Sequence, residues 1–293
     1  MGHSIHIDAV IPVGADASLL SGCLDCLEAQ SRPADGVIVV DDSPGGGLEL
    51  GGTAQVLRSG ARGPYAARNV GWRASGADIV LFLDIRSRPR PDWLLRFGEA
   101  FEDPGVALVT SDVRVQGGPS LAERVAERHG FFQRERYERE DAFRPYAPTC
   151  NLGVRRDALV AVDGFKELRS TADMDICWRI LDDPAKRFKM IPEVLMEWVP
   201  RDRVRDYLEQ CYRYGKAHHG IRRDWAASGI AQRDALGYPT ILRRLARRTA
   251  RAGWAGVVRR DSDEVVESVR SIGRYAFELG YRRAAGAARR GSD

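Results

Sequence analysis

Three acidic sites carry the chemistry open to this chain: Asp41-Asp42-Ser43, Asp84, and Asp173 with Asp175. Carboxylates read N–H and O–H donors through charge-assisted hydrogen bonds, hold divalent cations, and take protons from attacking hydroxyls. Between the first two sites lies Gly63-Pro64-Tyr65-Ala66-Ala67-Arg68-Asn69. Gly-Pro opens a helix there, and a helix N-terminus bearing an arginine favours an anion such as a diphosphate. Immediately after Asp84 come Ile85 and Arg86, so a guanidinium stands where a diphosphate site commonly offers a metal its second carboxylate.

These residues need a sheet to hold them. Ile79-Val80-Leu81-Phe82-Leu83 is an unbroken apolar run, the pattern of a strand buried on both faces, and it delivers Asp84 to the carboxyl edge. Open α/β sheets place their ligands at that edge. A first strand runs from Ile5 to Val13 with Pro12 near its end, and a second from Gly36 to Val40 ends in Asp41. Helices are expected from Ser18 (as N-cap) to Gln30, from Tyr65 to Ala74, and from Pro91-Asp92-Trp93 onward. Strands alternating with helices imply βαβ units and a mostly parallel sheet. Further along, the pattern predicts a charged helix over 121–140, a strand at 149–154, and helices over 156–162 and 171–181. A strand over 190–199 and an amphipathic helix over 202–218 follow, then Arg-rich helices from Ala231.

Composition bounds the rest. The 293 residues are 44% hydrophobic and 29% charged, ordinary for a globular chain, and no run approaches the ~20 apolar residues of a membrane span. With no basic-then-apolar leader, the chain reads as cytoplasmic. Five scattered cysteines argue against a disulfide framework, and Cys23 and Cys26 read as packing residues of an amphipathic helix. From Ile230 onward, 14 arginines face 7 acidic residues, while the net charge of the whole chain is only +4. That basic tail suits contact with anionic lipid, an anionic acceptor, or a dimer arm. Nucleic acid fits poorly, because no stacking aromatics interleave with the arginines.

Taken in order, the motifs resemble a family 2 glycosyltransferase of the GT-A fold, Rossmann-like and nucleotide-sugar-dependent. They are Val39-Val40-Asp41-Asp42-Ser43, the Gly63–Gly71 segment, Phe82-Leu83-Asp84, Pro91-Asp92-Trp93-Leu94, Asn151-Leu152-Gly153-Val154, Gly164-Phe165, and Ala172-Asp173-Met174-Asp175-Ile176-Cys177-Trp178-Arg179. The resemblance spans about residues 6 to 219. It implies donor binding by Pro12, Asp41, Asp42, Arg68 and Asp84, with Asp173 as the base of an inverting transfer. Asp175, Trp178, Arg179 and Arg213 would orient the base or meet the acceptor. Arg213 lies in Gln210-Cys211-Tyr212-Arg213-Tyr214, similar to an element of processive members with Tyr for Trp. The donor would be a nucleoside-diphosphate sugar, a UDP-sugar first. The acceptor is a carbohydrate, a small molecule or a lipid-linked sugar.

Two departures bear on the metal. The family's DxD reads Asp84-Ile85-Arg86, and the stretch Pro192–Trp198 has Glu197 or Trp198 where relatives often place a histidine. Asp84 could still hold Mg²⁺ or Mn²⁺, or Arg86, with Arg88 beside it, could replace the ion as the cation facing the diphosphate. His218-His219 reads as a solvated or capping pair. The expected organisation is a catalytic domain over 1–225 and a basic helical extension over 226–293. Two rival functions remain: a non-catalytic nucleotide-sugar-binding relative, and a sugar nucleotidyltransferase. The second is disfavoured because Val13-Gly14-Ala15-Asp16 is neither glycine-rich nor basic.

Overall fold

The computed structural model describes residues 5–130, 132, 143–259 and 262–290. The chain forms two compact units, Met1–Arg114 with Phe132–Val199, and Val115–Phe131 with Pro200–Asp293.

The first unit is an α/β sheet of order β3-β2-β1-β4-β7-β6-β8-β5. Its parallel half comprises β1 (Ile7–Val13), β2 (Gly36–Asp41), β3 (Gln55–Arg58) and β4 (Ile79–Leu83). The other half is β5 (Ser87–Pro89), β6 (Val106–Val115), β7 (Asn151–Arg155) and β8 (Arg187–Trp198), with antiparallel pairings β4–β7, β6–β7 and β5–β8. All five residues of β4 are buried, as its apolar run requires. One face of the sheet packs Trp93, Leu94, Phe97 and Phe101 against Ile7, Ile11, Ile79 and Leu81. The other packs Trp72, Phe165, Ile176 and Ile180 against Val10, Val40, Val80 and Phe82.

Pro12 sits in the central strand β1, opposite Val40 of β2. Proline is tolerated there because pairing of β1 with β4 already stops at Val10–Phe82. Gly71 lets helix α2 (Pro64–Ala74) lie directly on the sheet, since a Cβ there would be 2.4 Å from Val10 Cγ1.

Several boundaries differ from the sequence reading. Helix α1 spans Leu20–Glu28 with Leu19 at its N-cap, while the Ser18 N–H turns back onto Asp16 Oδ1 at 3.0 Å. A local Asx turn thus occupies the expected cap. Strands β5 and β6 were not foreseen: β5 has only three residues, and β6 lies between two helix signals. Helices α3 (Trp93–Ala100), α5 (Arg156–Ala161) and α6 (Ala172–Ile180) fall where expected, within a residue or two. Of the helix expected over 121–140, α4 (Leu121–His129) is observed and Gly130 ends it in the left-handed conformation; residues 131 and 133–140 lie outside the described residues.

The second unit joins α4 to α7 (Val204–Asp224) and α9 (Ser262–Arg290) around Val125, Tyr207, Cys211, Val266 and Val269, and α8 (Tyr238–Trp254) packs on α9. Helices α7 and α9 approach closely at glycines: a Cβ on Gly215 would be 1.9 Å from the Phe277 carbonyl oxygen. His218 packs tilted against Phe277 and His219 edge-on against Tyr281, at ring distances of 5.3 and 5.2 Å, so they are packing residues rather than a solvated pair. Burial lowers the His219 pKa. The compact units part at 114/115, 131/132 and 199/200, and α7 packs chiefly on α9 within the second. No helix among the described residues is long and apolar enough to cross a membrane.

Candidate active site

Asp84 follows the last residue of β4, and its backbone N–H is held by Ser87 Oγ at 3.0 Å. Its carboxylate pairs with the Arg68 guanidinium, which rises from the first turns of α2 with only 3% of its side chain exposed. Arg68 also lies 5.3 Å from the Tyr65 ring centroid, a cation–π contact. Its buried Nε has no hydrogen-bond partner. A buried donor without an acceptor is costly, and such atoms commonly mark a place for a ligand or water oxygen.

Asp173 comes from the first turn of α6. Thr171, the N-cap residue, has φ 70°, a left-handed conformation that a β-branched residue adopts only under strain. That kink brings Asp173 against α2, where the Tyr65 hydroxyl hydrogen-bonds its carboxylate and Arg68 acts on it electrostatically. The Met174 N–H adds a bond at 3.0 Å to Oδ1. Burial nevertheless dominates and raises the Asp173 pKa above the ordinary 3.8. The buried Cys150 thiol feels Asp84, Arg68 and Asp173 together, so the ends of β4, α2 and α6 meet at one point. Burial pushes that thiol well above 9.0, which makes it an inert wall rather than a nucleophile.

Asp41 and Asp42 organise the loops beside this cluster. Asp41 is 2% exposed; its carboxylate accepts from the N–H groups of Ser43 (2.9 Å) and Leu48 (3.2 Å). The hydrogen bonds from Ser43 hold its pKa below 3.8. Asp42 accepts from the Gly63 N–H at 2.9 Å and the Ser59 hydroxyl at 2.6 Å, joining the end of β2 to the start of α2. Gly63 supplies a φ of 103° that this junction needs.

Arg86 is anchored by the Val199 carbonyl, 3.2 Å from Nη1, and its own carbonyl accepts the Val199 N–H. Arg88 does different work from that expected of it. Its guanidinium donates to the carbonyls of Ile85, Ser87 and Leu19, tying the turn after β4 to the start of α1.

The remaining residues of α6 hold the fold. Asp175 is fully buried between Lys166 and Arg179, each 2.7 Å away. Arg179 also donates to the carbonyls of Val162 and Gly164, at 2.5 and 2.6 Å. Trp178 donates to the Arg144 carbonyl and packs edge-on against Phe143 and Tyr146. In the structure these side chains brace the loops flanking α6. Arg213 belongs to the second unit, where its guanidinium lies 5.8 Å from the Tyr214 ring. Tyr65 was missed by the sequence reading, although it stands three residues before Arg68 in the same motif.

The residues present do not fit a divalent ion bound in the DxD manner. Asp84 is paired with Arg68, position 86 is a donor, and Glu197 is paired with Arg114. Trp198 presents a buried indole N–H with no partner, again a donor. Among the described residues no group of three or more His, Cys, Asp or Glu side chains converges.

Asp41, Arg68 and Asp84 gather at the carboxyl edge of the parallel strands, where open α/β sheets place their ligands, and comparison with known proteins gives the family. The family model "Glycosyl transferase family 2" matches residues 8–162, and the chain belongs to that family. It is 32% identical over 221 residues to the pre-mycofactocin glycosyltransferase of Mycobacterium tuberculosis H37Rv, covering 71% of this chain and 46% of that protein. It is 31% identical over 173 residues to glycosyltransferase AglE of Haloferax volcanii, covering 54% of this chain and 55% of that one. The chain thus spans about half the length of the curated relatives it matches. Among solved structures, the mannosyltransferase PcManGT of Pyrobaculum calidifontis, in complex with GDP-Man and Mn²⁺, shares the fold. Its TM-score is 0.56 at 15% identity, over 99% of this chain and 80% of that one. Mannosyl-3-phosphoglycerate synthase of Rubrobacter xylanophilus matches with a TM-score of 0.50 at 18% identity, over 78% and 77%.

Proposed function

We propose that this chain transfers a sugar from a nucleoside-diphosphate sugar to an acceptor hydroxyl or amine, with inversion. The observation that carries the reading is Asp173: a half-buried carboxylate with a raised pKa, set beside the Arg68–Asp84 pair at the carboxyl edge of the sheet. In this reading Asp173 removes the acceptor proton as the acceptor attacks the anomeric carbon from the face opposite the diphosphate. The new C–O or C–N bond forms as the anomeric C–O bond breaks, and the nucleoside diphosphate leaves with the electron pair. Arg68 and Arg86 meet the charge that develops on it. Asp41 and Asp42 would meet the base and ribose, or shape the loops that do.

A UDP-sugar is the donor to test first, and the reaction is proposed to run without a metal, on the donor character of positions 86 and 198. Support for a guanidinium in that role is chemical: it supplies charge and a planar fork of donors. The acceptor is carbohydrate, small-molecule or lipid-linked; the relative of M. tuberculosis is named for pre-mycofactocin, which adds that compound to the acceptor panel.

Calorimetric binding of UDP, GDP and dTDP, each with Mn²⁺ and with EDTA, tests the site. Binding of one nucleotide that survives EDTA and weakens at least tenfold in Arg86→Ala supports the reading and identifies the donor class. Binding that requires Mn²⁺ overturns the metal-free part. Binding without any turnover or donor hydrolysis transfers the weight to a non-catalytic nucleotide-sugar-binding protein.

A further inference from the structure

Helix α8 carries five arginines and no acidic residue. The helix packs on α9, and Ile241 is fully buried. Its outer face is apolar where solvent would favour polar groups: Leu242 and Trp254 are each 58% exposed, and Val257, just beyond the helix, is 80% exposed. Ala246 and Ala250 are exposed between them, so Leu242, Ala246, Ala250 and Trp254 form one row at i, i+4 spacing. One residue around the helix runs a second row, Arg243, Arg247 and Arg251. Arg251 pairs with Glu264; Arg243 and Arg247 meet no carboxylate among the described residues.

An apolar stripe flanked by arginines, with tryptophan at one end, has the make-up of a helix lying in a lipid headgroup layer. A second copy of the same face is a poor occupant. Whichever way the two-fold runs, it brings together two helices with five arginines each and no acid on either to offset them. Nucleic acid is a poor occupant too, because Trp254 is the row's single aromatic and leucine, alanine and valine offer successive bases nothing to stack on.

We propose that this face of α8 binds an anionic lipid surface, with the arginines on the phosphates and Leu242, Trp254 and Val257 in the acyl boundary. The inference rests on the helical unit alone and is independent of the glycosyltransfer reading.

Co-sedimentation of the full chain with vesicles tests it, using phosphatidylcholine alone and phosphatidylcholine mixed with phosphatidylglycerol. The chain is expected to pellet with the anionic vesicles at about 0.1 M salt and to be released near 1 M, where the Debye length shrinks to about 3 Å. Arg243→Gln with Arg247→Gln should weaken partitioning roughly 30-fold, from the contribution of each arginine near an anionic surface. Leu242→Ser with Trp254→Ser should weaken it at least tenfold on the same vesicles. Both doubles leave the buried face of α8 intact, and unchanged far-UV circular dichroism would verify that they fold. Equal pelleting of parent and variants, or no pelleting at all, overturns the proposal. So does conversion of a dimer to a monomer by the apolar double, with vesicle binding unaffected.

Discussion

Asp173 and Asp175 stand two residues apart on one helix, and replacing them should have opposite consequences. Asp175 has 1% of its side chain exposed and is held by Arg179, itself 19% exposed, and by Lys166, which is half exposed. Asp175→Ala leaves the Arg179 cation buried without its counter-charge. Breaking a buried pair from one side costs about 3–5 kcal/mol. Arg179 keeps its two carbonyl acceptors, so the lower end applies, and solvent-screened Lys166 adds at most about 1 kcal/mol. The expected loss is therefore about 3–4 kcal/mol, a fall in Tm of roughly 6–16 °C for a unit of this size. Thermal and urea melts followed by circular dichroism would measure it. Pairing Asp175→Leu with Arg179→Met should recover part of the loss, since an apolar pair leaves no orphan charge. A Tm for Asp175→Ala within about 2 °C of the parent would refute the argument, because the ion network would then not be bracing the loop from Val162 to Lys166.

Asp173→Asn should instead lower kcat by about 10²–10⁴ while nucleotide binding persists, and retained turnover would remove Asp173 as the base. Because burial raises the Asp173 pKa, its contribution to stability is complete below the unfolded value of 3.8 and is lost as pH rises through the folded value. At neutral pH the Asn variant should thus melt no lower than the parent, and the acid limb of the parent's kcat/KM profile should lie above the usual carboxylate range and vanish in the variant. Asp41 has the opposite sign: its lowered pKa gives stability that is full above 3.8 and is lost as pH falls through the folded value, so Asp41→Asn should flatten the urea midpoint against pH below about 4. Gly164→Ala should destabilise by more than about 1 kcal/mol, since φ is 69° and the new Cβ would be 2.5 Å from Asn69 Oδ1; a melt unchanged from the parent would contradict this.

The parallel half of the sheet was legible because its strands are apolar runs that end in acids. Ile79–Leu83 leaves little choice but a central strand, and the carboxylates after β2 and β4 then share one edge. The antiparallel half was less legible. Val106-Ala107-Leu108-Val109 is a comparable run, but it is short and lies between two helix signals, and Ser87–Pro89 is a strand only because β8 pairs with it. Residue types on α6 pointed to chemistry without dividing it. Asp173 and Asp175 differ only in which neighbours reach them, and Lys166 and Arg179 find Asp175 through a loop whose path no local pattern encodes. The arginines illustrate the same limit. Arg86 and Arg88 are alternate residues after one strand, yet only folding assigns Arg88 to the carbonyls of Ile85, Ser87 and Leu19.

The Arg68–Asp84 pair has a kinetic consequence on the proposed reading. An incoming phosphate oxygen does not find a vacant cation; it finds one already neutralised by a carboxylate of the chain. Arrival is then an exchange of one anion for another on the same guanidinium, and departure is the reverse exchange, with Asp84 standing by to reclaim its partner. Such a competitor weakens the grip on the donor and on the spent nucleotide alike, so that turnover need not wait for the product to leave a naked positive charge behind.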